Sequence, residues 1–137
     1  MKIMEIMSKN IDRVAPEMSI ADAAGRMRDD DVGSLLVADD DKLLGMLTDR
    51  DIVVRVVGNG SSIENTCVRD AMTDKVLYAY DDEEATNVAR NMADEQVRRM
   101  PVVNRDKMLV GVVSLGDIAG ETPAVTAGET LEKITQD

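Results

Sequence analysis

An eight-residue stretch that occurs twice constrains this chain more than any other feature. The first copy is Gly45-Met46-Leu47-Thr48-Asp49-Arg50-Asp51-Ile52, and the second is Gly111-Val112-Val113-Ser114-Leu115-Gly116-Asp117-Ile118. In each copy an apolar run precedes the hydroxyl residue, and an aspartate follows three positions later. This pattern predicts a strand that turns directly into a helix. The start of such a helix can hold a phosphate, and the aspartate can accept hydrogen bonds from sugar hydroxyls.

The rest of the chain is duplicated in the same way. Met7-Ser8 recurs as Met72-Thr73, and Met27 recurs as Met92. We therefore predict a first unit in residues 1–60, a second unit in residues 61–120 and a C-terminal tail in residues 121–137. The spacing of Thr126 and Glu129 predicts a short helix in the tail.

Apolar periodicity predicts the same order of elements in both units. In the first unit these are a strand over Ile11–Val14, a helix from Ser19, a hairpin of Ser34–Ala38 with Leu43–Leu47, and a helix over Asp49–Val57. In the second unit Tyr78 and Tyr80 share one face of the first strand, and the hairpin pairs Met100–Val103 with Met108–Val113. The fold class is thus α/β (α+β), with two β-α-β-β-α units. Because neither unit can cover both faces of its sheet, we expect sheet-to-sheet packing with pseudo-twofold symmetry.

Charge and composition argue against several classes of function. The net charge of −11 disfavours nucleic acid and anionic membranes as partners. No apolar run reaches the roughly 18 residues that a membrane span needs, so we expect a cytoplasmic protein. The chain has no histidine and one cysteine, Cys67. A disulfide, a thiolate metal cluster and the usual general base are therefore absent, and we expect neither an enzyme nor a required cofactor. The acidic runs Asp29–Asp31, Asp39–Asp41 and Asp81–Glu84 predict solvated turns and helix starts.

With these motifs the chain resembles the cystathionine-β-synthase (CBS) domain family, as a tandem pair or Bateman module. The resemblance rests on Asp70-Ala71-Met72-Thr73, on Val97-Arg98-Arg99-Met100-Pro101-Val102-Val103 and on the two Gly-x-x-Thr/Ser-x-x-Asp stretches. It covers residues 2–119 and is similar to small stand-alone CBS-pair proteins, including hypoxic-response types. It implies clefts between the two units, in which many members bind AMP, ADP, ATP or S-adenosylmethionine and regulate a partner.

The resemblance also implies the ligand-binding residues. Thr48 and Ser114 would meet phosphates or ribose, and Asp51 and Asp117 would meet the ribose hydroxyls. The further candidates are Arg50, Arg98, Arg99, Pro101, Tyr78 and Tyr80.

Each of these assignments has a structural alternative. Thr48-x-x-Asp51 and Ser114-x-x-Asp117 resemble capping boxes, which contribute about 1 kcal/mol to starting a helix. Arg98 and Arg99 can bind phosphate oxygens or simply pair with surface acids. Tyr78 and Tyr80 can stack on a base or belong to the core at a sheet edge.

We expect the second-unit site to bind anions better than the first. Asp49 adds negative charge beside Thr48, whereas the equivalent positions in the second unit are the neutral Leu115 and Gly116. The arginines 98 and 99 stand where the first unit has Gly33 and Ser34.

The expected function is non-catalytic sensing of an adenine nucleotide by a homodimer that regulates an unidentified protein. The alternative is a ligand-free dimeric scaffold that docks a partner. Dimerisation is expected because the last helix of each unit, with Ile52, Val53, Val56 and Val57 and then Ile118 and Ala119, is too apolar for full exposure.

Overall fold

The computed structural model describes residues 1–120. Each copy of the repeat contributes one three-stranded sheet of mixed direction, with orders β1-β2-β3 and β4-β5-β6. The predicted α+β fold of two β-α-β-β-α units is confirmed at the level of elements, and the sheet-to-sheet packing stays a prediction. The predicted tail helix lies outside the described residues.

The first sheet and its helices lie between residues 13 and 71. The elements are β1 (Arg13–Val14), α1 (Ile20–Asp30), β2 (Ser34–Asp39), β3 (Lys42–Thr48), α2 (Asp49–Asp51), a π-helical segment (Ile52–Val57) and α3 (Val68–Ala71). β1 pairs in parallel with β2, and β2 pairs antiparallel with β3. Ser19 caps α1 by accepting the Asp22 N–H at 3.1 Å, as its position predicts. β1 is shorter than predicted, since Ile11 precedes it.

The second sheet repeats this order. Its elements are β4 (Ala79–Tyr80), α4 (Ala85–Asp94), β5 (Arg99–Val103), β6 (Leu109–Ser114) and α5 (Leu115–Ala119). β4 is parallel to β5, and β5 is antiparallel to β6. Tyr78 precedes β4, so the prediction that both tyrosines lie within this strand is wrong. A two-residue strand is enough to place Ala79 beside Val102.

The helix predicted over Asp49–Val57 changes its hydrogen-bonding pattern along its length. Only Asp49–Asp51 is α-helical, and Ile52–Val57 is π-helical. The Gly58 N–H donates to Val53 O at 2.7 Å, which is the i→i+5 spacing of a π-helix. Arg55 donates from Nη1 to Ala71 O and Met72 O at 3.3 and 3.1 Å, and so ties this helix to the end of α3.

Two acidic runs occupy a turn and a helix start, as predicted, whereas Asp29–Asp31 lies at the end of α1 and not at a start. Asp31 is the C-cap of α1, with a φ of 54°. Asp40 and Asp41, in the β2–β3 turn, have φ values of 50° and 82°. Aspartate is among the non-glycine residues that adopt this left-handed region most readily. These aspartates therefore serve local turn geometry.

The two compact units of the chain do not coincide with the two halves of the repeat. One unit is Asp12–Val76, which we call the central unit; the other combines Met1–Ile11 with the chain from Leu77 onward, and we call it the composite unit. Ile3, in a 3-10 turn (Ile3–Glu5), is fully buried in the core of the composite unit. Ser8 and Val112 exchange two backbone hydrogen bonds of 2.8 and 2.9 Å. The N-terminal segment therefore extends the sheet of the second repeat.

The central unit is completed in the equivalent way by the segment that precedes the second repeat. Met46 and Thr73 exchange two backbone hydrogen bonds, both of 2.9 Å. Val68 and Ala71 are fully buried in the core with Ile20 and Leu47. We still propose residues 1–60 and 61–120 as the two sequence repeats. In the packing, however, the segment before the first strand of each repeat belongs to the compact unit of the other repeat.

Candidate functional site

The β5–β6 hairpin brings four of the predicted site residues together. Its register places Arg99 opposite Ser114, where β6 ends and α5 begins. The Leu115 N–H donates to Arg98 O at 2.8 Å, which holds the start of α5 beside the start of β5. Asp117 lies in the first turn of α5. We call Arg98, Arg99, Ser114, Gly116 and Asp117 the β6–α5 site.

Ser114 and Asp117 form a capping box. The Asp117 N–H donates to Ser114 Oγ at 3.0 Å, and the Ser114 N–H donates to Asp117 Oδ2 at 3.1 Å. The capping interpretation of this spacing is therefore confirmed. The box leaves Asp117 exposed, and its Oδ1 has no hydrogen-bond partner among residues 1–120. Capping and ligand binding are compatible here, because one carboxylate oxygen serves each.

Hydrogen-bond donors with no acceptor belong to the same turn. Arg98 and Arg99 are exposed residues and form no ion pair within the described part of the chain. The Gly116 N–H, in the first turn of α5, also has no acceptor among residues 1–120. The alternative that the arginines pair with surface acids is thus not observed in this range. The site offers two cations, a free amide and one carboxylate oxygen.

In the equivalent turn of the central unit, the polar groups have partners within that unit. Thr48 and Asp51 form the same capping box, with both distances 3.0 Å. The Asp51 side chain is only 13% exposed, and its Oδ1 lies 3.9 Å from Nε of Arg55. The Arg50 N–H, which corresponds to the open Gly116 N–H, donates to Asp49 Oδ1 at 2.8 Å. Asp49 thus fills the position that is open in the β6–α5 site.

The two tyrosines lie in contact, and neither belongs to the core. Their ring centroids are 5.5 Å apart at an interplanar angle of 87°. Arg105 covers the ring of Tyr80, with Cζ 4.0 Å from the centroid. Tyr78 is 36% exposed. Of the two predicted stacking residues, Tyr78 is therefore the more accessible to a base.

Arg105 and Asp82 are residues that the sequence did not point to. Arg105 donates Nε and Nη2 to the two Asp82 oxygens at 2.9 and 2.8 Å. This paired hydrogen bond lowers the pKa of Asp82 and raises the pKa of Arg105. The pKa of Tyr80 is raised, mainly by the neighbouring Tyr78 side chain. The pair links the β5–β6 turn to the β4–α4 loop across 23 positions, so no local spacing could reveal it.

Pro101 has a packing role in the structure. It is buried in β5 opposite Val112, and Met100 and Val102 on either side of it are buried as well. Proline lacks a backbone donor, so a position in the middle strand of a sheet costs one ladder hydrogen bond. Its amide nitrogen has no hydrogen to donate, and a ligand contact by Pro101 stays a prediction.

Comparison with known proteins identifies the family. A family model for the CBS domain matches residues 3–58 and again residues 68–134. The chain belongs to the CBS-domain family. The two matches cover most of its length, so the protein is a CBS pair.

Three curated relatives are similar to this chain over most of its length. The CBS domain-containing protein YhcV of Bacillus subtilis is 32% identical over 134 residues, which are 97% of this chain and 94% of that protein. Hypoxic response protein 1 of Mycobacterium tuberculosis is 34% identical over 120 residues, which are 87% of this chain and 83% of the relative. A protein of Methanopyrus kandleri is 28% identical, and this chain spans 65% of its length.

Two solved structures of CBS proteins carry ligands or metals. A crystal structure of hypoxic response protein I with two coordinated zinc ions is 32% identical, with a TM-score of 0.77 over 89% of this chain and 99% of that one. A crystal structure of CBSX2 in complex with AMP is 25% identical, with a TM-score of 0.71 over 96% and 98% of the two chains. The present CBS pair has no histidine, and residues 1–120 contain no group of three or more acidic or cysteine side chains that could hold a metal. No helix within the same range is long and apolar enough to cross a bilayer.

Proposed function

We propose that this CBS pair binds an adenine nucleotide at the β6–α5 site and uses its occupancy to regulate another protein. The observation that carries the proposal is the difference between the two equivalent turns. Asp117 is exposed with one oxygen unbonded, and Arg98 and Arg99, which the hairpin places at the same turn, form no ion pair among residues 1–120. Asp51 is enclosed and already faces Arg55. The solved complex of the CBS protein CBSX2 with AMP supports the ligand class.

Different residues would contact the ribose, the phosphates and the base of the nucleotide. The free Asp117 oxygen would accept a hydrogen bond from a ribose hydroxyl. Arg98, Arg99 and the Gly116 N–H would bind phosphate oxygens, since a guanidinium donates two parallel hydrogen bonds to an oxyanion. The exposed ring of Tyr78 is available to a base. Two cations also favour AMP, ADP or ATP over S-adenosylmethionine, whose sulfonium carries a positive charge.

Regulation requires that the nucleotide prefer one conformation over another. A ligand shifts an equilibrium only by its difference in affinity for the two states. The proposed function is binding without catalysis, and a cytoplasmic location is part of it. The regulated protein is defined only as one that distinguishes the free and bound conformations.

Substitution of one aspartate in each repeat tests the nucleotide site. We expect Asp117→Asn to weaken AMP and ATP binding by roughly tenfold or more, because a charge-assisted hydrogen bond is worth about 1.5–3 kcal/mol. Asparagine keeps an acceptor oxygen for the Ser114 N–H, so the helix cap is retained. The matched variant Asp51→Asn should change affinity by less than about twofold, and titration calorimetry measures both.

Two results would contradict this proposal. Equal losses in both variants would remove the asymmetry between the turns. Absence of thermal stabilisation of the unsubstituted protein by any adenine compound at millimolar concentration would favour the ligand-free scaffold.

A homodimer is the second part of the proposal, and exposed valines support it. Val53, Val54 and Val57 on the π-helical segment are 60%, 52% and 59% exposed. Of the apolar residues that led us to expect a dimer, Ile52, Val56 and Ile118 belong to the cores instead. Adjacent exposed valines are typical of a protein interface. A second copy of the chain would bury them.

Sedimentation velocity at micromolar concentration tests the dimer. We expect a dimer for the unsubstituted protein and a monomer for Val53→Asp/Val57→Asp, because two like charges from each copy would meet in a symmetric interface. Ile63→Asp is the matched control, since Ile63 is 43% exposed and lies outside the π-helical segment. A monomeric unsubstituted protein would refute the dimer, and dissociation by the control would refute its location.

A further inference from the structure

A concave surface lies where the N-terminal segment crosses the composite unit. This groove has a volume of about 580 Å³ and is lined by Met4, Glu5, Met7, Lys9, Asp81 and Val110. We call it the N-terminal groove. None of its lining residues belongs to the β6–α5 site, so its occupation does not depend on the nucleotide proposal.

Backbone hydrogen bonds hold both walls of the groove in place. The Met4 N–H donates to Asp81 O at 3.0 Å, and Ser8 is bonded to Val112 in both directions. Gly111 sets the position of Met7, because a Cβ at Gly111 would lie 2.5 Å from Met7 Sδ. Glycine therefore allows Met7 to lie directly on β6. The groove is a preformed feature of the N-terminal crossing.

The floor of the groove is apolar and polarisable. Met4 is 42% exposed, and Met7 and Val110 are half-buried. Thioether side chains adapt their shape and make favourable contacts with aromatic rings. The floor thus favours a compact apolar or aromatic group.

The rim of the groove has more negative than positive charge. The half-buried Asp81 side chain has no hydrogen bond or ion pair with any residue in the range 1–120. Among residues 1–120, Glu5 accepts only the Lys2 N–H, at 2.9 Å, so it keeps acceptor capacity. Lys9 is the single basic residue of the lining. A carboxylate beside apolar groups is stabilised by a cation that pairs with it, and the net charge of −11 attracts cations generally.

We propose that the N-terminal groove binds a small organic cation, an ammonium group carried on an apolar or aromatic body. The ammonium pairs with Asp81, and the body lies on the thioethers of Met4 and Met7. Glu5 adds a second negative charge beside the same floor. Lys9 opposes the cation and sets an upper limit on its affinity.

The methionine methyl groups report binding directly. The protein is labelled with carbon-13 at the methionine methyls, Met4→Leu and Met7→Leu assign the two signals, and phenethylammonium is titrated in. We expect the Met4 and Met7 signals to shift through the ring current, with saturation. Phenylacetate, which carries the same ring on an anion, should give no saturable shift. Equal responses to the two compounds, or no shift of either signal, would overturn the proposal.

Charge variants of the rim test the pairing itself. We expect Asp81→Asn to weaken phenethylammonium binding by about fivefold, as for a partly exposed ion pair, and Lys9→Gln to strengthen it. Asp106→Asn removes the same charge from an exposed turn outside the groove and should leave the affinity unchanged. If Asp81→Asn and Asp106→Asn have the same effect, the groove attracts cations only through net charge and the specific site is refuted.

Discussion

Replacing Ile3 with alanine is expected to lower the free energy of unfolding by about 3 kcal/mol, the usual cost of such a truncation in a core. Ile3 is fully buried among Ala85, Val88 and Met92 of α4. Its neighbour Met4 is 42% exposed, so Met4→Ala is the matched control and should cost little. Urea denaturation followed by circular dichroism measures both variants.

The region that Ile3→Ala destabilises distinguishes this structure from one in which each sequence repeat folds on its own. Ile3 lies in the first repeat of the sequence but packs in the composite unit. In Ile3→Ala we therefore expect faster amide hydrogen exchange in β6 (Leu109–Ser114) than in β3 (Lys42–Thr48). Preferential loss of protection in β3, or a destabilisation equal to that of Met4→Ala, would show that the N-terminal segment does not complete the second sheet.

Gly45→Ala is expected to destabilise the protein by about 1–3 kcal/mol, because the added methyl group has no room. A Cβ at this position would lie 2.5 Å from Thr73 O and 3.2 Å from Met72 Sδ. The nearest atom is a backbone oxygen that accepts the Met46 N–H. Relief of the clash must therefore weaken the pairing of Met46 with Thr73, which completes the central unit.

Gly25→Ala makes the same chemical change with the opposite expected sign. Gly25 lies within α1, and the nearest atom to its added Cβ would be Arg28 Nη2 at an ordinary 3.8 Å. Alanine in a helix interior should stabilise by about 0.5–1 kcal/mol relative to glycine. Thermal unfolding of both variants under one set of conditions decides the matter. If Gly45→Ala is as stable as Gly25→Ala, the close approach of Thr73 to β3 is wrong.

Features that depend on neighbouring residues were predictable from the sequence. A capping box joins residues three positions apart, so Thr48 with Asp51 and Ser114 with Asp117 could be identified from spacing. The first hairpin followed from two apolar runs joined by an aspartate-rich turn, and the duplication supplied the same order in the second unit. The π-helical hydrogen bonding of Ile52–Val57 was not predictable, because apolar periodicity does not separate it from an α-helix over so few residues.

The sequence identified the residues of the candidate site but not how exposed their side chains are. The sequence placed Arg98 and Arg99 before one strand and Asp117 after the next, and the contrast between Asp49 and Leu115 already predicted unequal turns. The structure alone showed that the Asp51 carboxylate is enclosed beside Arg55 while the Asp117 carboxylate is exposed. Side-chain exposure depends on packing partners far along the chain, and spacing carries no information about it.

The sequence by itself determined the repeated β-α-β-β-α order, the helix caps and the family, because these depend on local hydrogen bonds and on patterns of a few residues. Only the tertiary structure decided that Met1–Ile11 completes the second sheet and that Thr73 pairs with Met46. It also decided that Arg105 covers Tyr80. The physical reason is that an unpaired edge strand and a half-covered apolar face accept any suitable segment within reach. The segment that binds there is selected by the packing of the whole unit.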